Sequence, residues 1–132
     1  MTPRAADKVI WCDMGWQPVH FGLCPSEAAW KREMKRLGLP NEPYPTTDGR
    51  CVFLDNKNGK LCAIVVINHR KGRTATEVLG LIIHEATHIW QAIREDIGET
   101  APGKEMEAYA MQAISQGLIQ AYCDTVGMPK WR

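Results

Sequence analysis

His84-Glu85-Ala86-Thr87-His88 places two imidazoles four residues apart with a carboxylate beside the first. That spacing suits one turn of helix holding a zinc ion and a catalytic base together. Residues i and i+4 share a helix face, so His84 and His88 can point at one metal. Glu85, turned about 100° round the axis, reaches the water that attacks the substrate. A five-residue motif also arises by chance, so the element carrying it must be read too. The competing reading is a core helix whose two histidines are satisfied by hydrogen bonds.

The run 76–97 reads as an amphipathic helix, with Leu79, Ile82, Ile83, Ala86, Ile89, Trp90, Ile93 and Ile97 recurring at helical spacing. Thr74 with Glu77 three residues on has the form of a capping box, and Gly98 is placed to end the helix. The motif therefore sits mid-helix. A catalytic zinc takes three protein ligands and leaves one position open. The metzincin extension would need glycine at 91 and histidine at 94, where Gln91 and Arg94 stand, and no histidine follows His88. Downstream candidates are carboxylates or Cys123. A second helix, expected over 103–122, offers Glu105 and Glu107. Glu107 shares a face with Ala110, Met111, Ile114, Leu118 and Ala121, whereas Glu105 lies with Tyr109, Gln112 and Gln116. A carboxylate on an apolar face needs a partner. That partner is a zinc ion, or a basic residue such as Arg94. Glu105 reads as a solvated group near the helix N-terminus, and Cys123 as a buried thiol.

The HEATH helix followed by Glu107 in KEMEAYAMQ resembles the small gluzincin-type metallopeptidases. That resemblance implies a minimal zincin domain of the α+β class: a backing helix, a small sheet with a hairpin, the HExxH helix and a glutamate helix. It also implies Zn²⁺ held by His84, His88 and Glu107, with Glu85 as general base in the hydrolysis of a peptide or protein substrate. HEATHIWQAIREDIGE and EAYAMQAI, with the upstream CPSEAAWKREMKRLG, are similar to short proteins of tailed phages and prophages, a group that brings no established substrate. There is a looser similarity to the peptidase module of phage-repressor-cleaving proteins. One departure stands out: gluzincins often carry an acidic residue four positions after the glutamate ligand, and here Met111 occupies that place. The alternative is a non-catalytic, zinc-stabilised binding protein, such as a phage assembly or host-interaction factor. It would need a fourth ligand, His69 or Cys123, to close the site.

The remaining sequence reads as one domain spanning 1–132, long enough to bury roughly two-thirds of its unfolded surface. A net charge of +1 with dispersed basic residues does not indicate nucleic acid. Five cysteines with no CxxC point to reduced thiols, and no apolar run reaches membrane-span length, so a soluble, cytoplasmic protein is expected. A strand is expected over 16–23, then a helix opened by Pro25 and Ser26 and ending at Gly38. The proline-rich stretch 39–49 reads as a surface connection. Segments 50–55 and 60–68 read as a hairpin turned at Asn58-Gly59, and the second strand is apolar on both alternations and hence covered on both faces. The zincin resemblance adds that an edge of this hairpin can hold substrate as an added strand. His69 and the basic stretch Arg70, Lys71 and Arg73 read as a solvated loop or, less readily, as a lining of the cleft, Tyr44 and His69 as groups that can swing toward the site, Gln91 as an outer contact, and 127–132 as a loose tail unless Trp131 docks.

Overall fold

The computed structural model describes residues 7–12, 17–55 and 58–132. Among these, the chain forms strand β1 (Ile10–Cys12), strand β2 (His20–Cys24), helix α1 (Glu27–Arg36), strands β3 (Gly49–Asp55) and β4 (Leu61–Ile67), and helices α2 (Ala75–Asp96) and α3 (Lys104–Thr125). The fold is α+β, with a four-stranded mixed sheet in the order β1-β2-β4-β3. Strand β4 lies inside the sheet, parallel to β2 and antiparallel to β3, and β1 runs antiparallel to β2.

The unbroken apolar run of β4 has a direct structural cause. Successive side chains leave opposite faces of a strand. Here Ala63, Val65 and Ile67 point toward α2 and α3, and Cys62, Ile64 and Val66 point toward α1. Both faces are covered, so both alternations must be apolar. Phe21 and Leu23 of β2 join the α2/α3 side, and Cys24 joins the α1 side. Trp30 of α1 is fully buried against the second face. Its indole N–H donates 3.0 Å to the Glu42 carbonyl, which straps the proline-rich connection onto the helix.

Helix ends follow local chemistry. Ser26 caps α1 by accepting from the Ala29 N–H, and Gly38 at φ 79° lets the chain leave as a paired C-terminal turn, with Gly38 N–H on Lys35 and Leu39 N–H on Met34. Thr74 and Glu77 make the reciprocal capping box at α2. Those hydrogen bonds from Thr74 hold the Glu77 carboxyl below its usual pKa. The next orphan donor of α2, Ala75 N–H, bonds the Lys130 carbonyl at 2.8 Å. The tail is therefore tied through its backbone, while Trp131 stays 65% exposed.

Several expectations need correction. The strand expected over 16–23 begins at His20, and Trp16 lies outside the described residues. Strand β1 was not foreseen. Of the connection between β3 and β4 only 58–60 are described, and there Gly59 takes φ 73° while Asn58 is not at positive φ, so Gly59 and not Asn58 carries the positive φ expected of the pair. Cys123 is exposed, because α3 continues to Thr125 and turns it outward. No described helix is long and apolar enough to cross a membrane.

Replacing Thr74 by alanine removes the side-chain half of the α2 cap. Chemical denaturation of Thr74→Ala is expected to give a stability loss of about 1 kcal/mol with an unchanged m-value.

Candidate metal centre

The rotation of α2 places the motif. Val78, Ile82, Ala86, Ile89 and Ile93 are at most 1% exposed and form the stripe laid against Ala63, Val65 and Ile67 of the sheet. At 100° per residue, His84 and His88 fall on the opposite side and face solvent, while Glu85 turns toward the sheet and is only 4% exposed. The two imidazole rings stand 5.0 Å apart between centroids, at 75° to each other. One ligand atom from each of His84, Glu85 and His88 lies within 4.8 Å of the others. Two zinc ligands at about 2.0–2.2 Å from the ion stand roughly 3.5 Å apart in a tetrahedron, so small side-chain rotations bring such a group onto one ion.

Glu85 is buried because β3 lies over it. A Cβ built on Gly49 would come within 3.1 Å of Glu85 Oε2, so the carboxylate occupies space that only glycine leaves open without adjustment. Cys51 follows on the same face of the strand. Burial pushes its thiol up to about 12, and the neighbouring Glu85 charge adds to the effect. Strand β3 is also the edge of the sheet, so no described strand pairs with its outer side. A cavity of about 560 Å³ opens beside the motif, with Gly49, Gly80, Leu81, His84 and Glu85 among its lining residues. Gly80 lies one turn before His84 on the same helix face, and nothing stands within 4 Å of where its Cβ would be.

The basic loop forms a wall of this cavity. Arg73, with a side chain 6% exposed, pairs with Asp48 at 2.8 Å and also bonds the Asn68 carbonyl. Asn68 in turn donates to the carbonyls of Pro45 and Thr47 and accepts from Tyr44, holding the two connections together. Of the two roles open to the basic loop, Arg73 therefore takes the cleft-lining one, while Asp48 and Gly49 are site residues that the sequence does not single out. An Asp-Gly pair after a proline-rich stretch reads as turn chemistry, and only the sheet register brings it to the site. Tyr44 packs on the α1 side of the sheet, its hydroxyl spent on Asn68, so it does not approach the histidines. His69 lines a different cavity, beside Tyr122 and the tail.

Glu107 sits in the first turn of α3, at the end of an apolar stripe formed by Ala110, Ile114, Leu118 and Ala121. Its Oε2 accepts from the Trp90 indole at 2.7 Å and lies 3.8 Å from Arg94 Nη1. Its side chain is 45% exposed, and the described ligand group consists of His84, Glu85 and His88 without it. The structure therefore brings three of the four named residues together and places the fourth against α2 farther along the helix. Glu105 and Tyr109 face solvent. On the solvent side of the motif, His88 Nδ1 lies 3.1 Å from Gln91 Oε1.

No known protein family, curated protein or solved structure matches this chain.

Two outcomes follow. Gly49→Ala should fold with stability within about 1 kcal/mol of wild type, the gain from replacing a strand glycine being set against the crowding of Glu85. Its crystal structure should show the Glu85 carboxylate displaced by a few tenths of an ångström. In native thiol titration at about pH 8, Cys123 should react first. Cys24 and Cys51, both pushed up to about 12 by burial, hold on the order of one thiolate in ten thousand at that pH and should react only on unfolding.

Proposed function

We propose that this protein is a zinc-dependent peptide hydrolase with a zincin-like arrangement, in which His84 and His88 hold the metal and Glu85 is the general base. The observation that carries this reading is the convergence of two exposed imidazoles and one buried carboxylate on a single helical turn, beside an open cavity and under an unpaired sheet edge. The donor set fits zinc, for which imidazole and carboxylate are ordinary ligands. The exposure of both histidines favours an open site over a closed structural one. His69 and Cys123, the residues considered for closing a tetrahedron, are not members of the described group. We propose Glu107 as the third ligand: it comes from the helix paired with α2, and its Oε2 is already oriented by Trp90.

His84, His88 and Glu107 would hold the zinc ion, which would supply Lewis acidity to the scissile carbonyl and to the attacking water. The chain's own groups do the rest. Glu85 takes the proton from the attacking water and delivers it to the leaving amine. Its position under β3 keeps solvent from competing for the carboxylate. The outer edge of β3 offers backbone N–H and C=O groups to an extended peptide, aligning it as an added strand across the motif. Phe53, on the same strand face as Gly49 and Cys51 and 38% exposed, offers that peptide an apolar contact.

A second reading, a zinc-stabilised binding protein without catalysis, is favoured by one observation: Glu107 is engaged by Trp90 and Arg94. Metal content and peptide-library cleavage followed by mass spectrometry separate the two. The enzyme reading expects about one zinc per chain, lost in His84→Ala and Glu107→Gln and retained in Glu105→Gln. It expects Glu85→Gln to keep zinc while cleavage falls by about 10²-fold or more. Zinc retained in Glu107→Gln would remove that residue from the ligand set. Zinc that raises the unfolding temperature, with no cleavage by wild type, would favour the binding protein. A wild-type chain that takes up no zinc would sink both.

A further inference from the structure

We infer that Gln91 is a positioning residue for His88, fixing which imidazole nitrogen faces the metal. This inference rests on the proposed metal-binding role of the histidine pair and names how this chain orients one member of it. A metal-bound imidazole ordinarily donates its second nitrogen to an acceptor, which sets ring orientation and tautomer.

The structure supplies an acceptor from α2 itself. Gln91 lies one turn beyond His88, and its Oε1 is 3.1 Å from His88 Nδ1. An amide oxygen only accepts, so Nδ1 carries the proton of the neutral ring. The lone pair is then left on Nε2, the nitrogen at the far side of the ring from Gln91. The His84 ring stands edge-on to His88 at 5.0 Å, so both imidazoles serve the same space. The turn that follows the motif thus furnishes hydrogen bonds to two proposed ligands, Gln91 to His88 and Trp90 to Glu107. Gln91 is exposed, and its replacement leaves the apolar stripe of α2 untouched.

The test has two readouts. Long-range ¹H–¹⁵N spectra of the metal-free protein, taken above the imidazole titration range, report the tautomer without any metal. Zinc competition titration reports affinity. Wild type should show His88 protonated at Nδ1. Gln91→Leu should revert to the Nε2–H form that free neutral imidazole side chains prefer and should bind zinc about 10–100-fold more weakly. Gln91→Glu, which restores an acceptor, should recover both. A wild-type His88 protonated at Nε2, or a Gln91→Leu variant with wild-type tautomer and affinity, overturns the inference. The expected tautomer in a wild-type chain that binds no zinc would instead overturn the metal reading and the role of Gln91 with it.

Discussion

The seating of α2 on the central strands governs everything else in this molecule. Ile82, Ala86, Ile89 and Ile93 press on Ala63, Val65 and Ile67, each fully buried isoleucine or valine contributing about 1.5–3 kcal/mol. Those contacts allow α2 one rotation about its axis. A rotation by one residue, 100°, would expose an isoleucine and drive an imidazole into the core. The same packing that stabilises the fold therefore turns His84 and His88 outward and Glu85 inward. Core and site are written on one helix with one period.

Burying Glu85 is the constraint that this seating imposes. A carboxylate only 4% exposed is costly in an apolar setting, and the chain meets the steric part of the problem by leaving Gly49 without a side chain opposite it. That requirement falls on the edge strand of the sheet, where the outer backbone groups are unpaired. The segments on either side are held by polar strapping rather than by regular structure. Arg73 spans Asp48 and the Asn68 carbonyl, and Asn68 gathers Pro45, Thr47 and Tyr44. The irregular wall of the cavity is thus fixed by hydrogen bonds between two loops distant in sequence.

Legibility divides along the range of the interactions. The capping box at Thr74 and Glu77, the glycine stop at Gly98, the double-faced burial of β4 and the face shared by His84 and His88 depend on neighbours within a few residues, and each was readable. Strand β1 was not, because three residues, Ile10 to Cys12, carry too little alternation to register and form only by pairing with β2. The sequence left Arg73 between a solvated loop and the cleft lining because nothing local distinguishes a buried guanidinium from a solvated one. Its partner Asp48 lies 25 positions earlier. The assignment of Glu107 to an apolar stripe held for Ala110, Ile114 and Leu118 but stopped short of Glu107 itself, which sits in the first turn of α3 and is half exposed.

By itself the sequence determined that two histidines and a glutamate share one turn of a capped, amphipathic helix, because helical period and capping are local properties of the chain. Tertiary structure alone decided how deep Glu85 lies, which strand covers it, and that Glu107 meets Trp90 beside Arg94, the basic partner the sequence offered for it. How α2 and α3 sit against each other depends on the fit of their side chains, and that fit is a property of two surfaces together. A motif written within five residues cannot specify it.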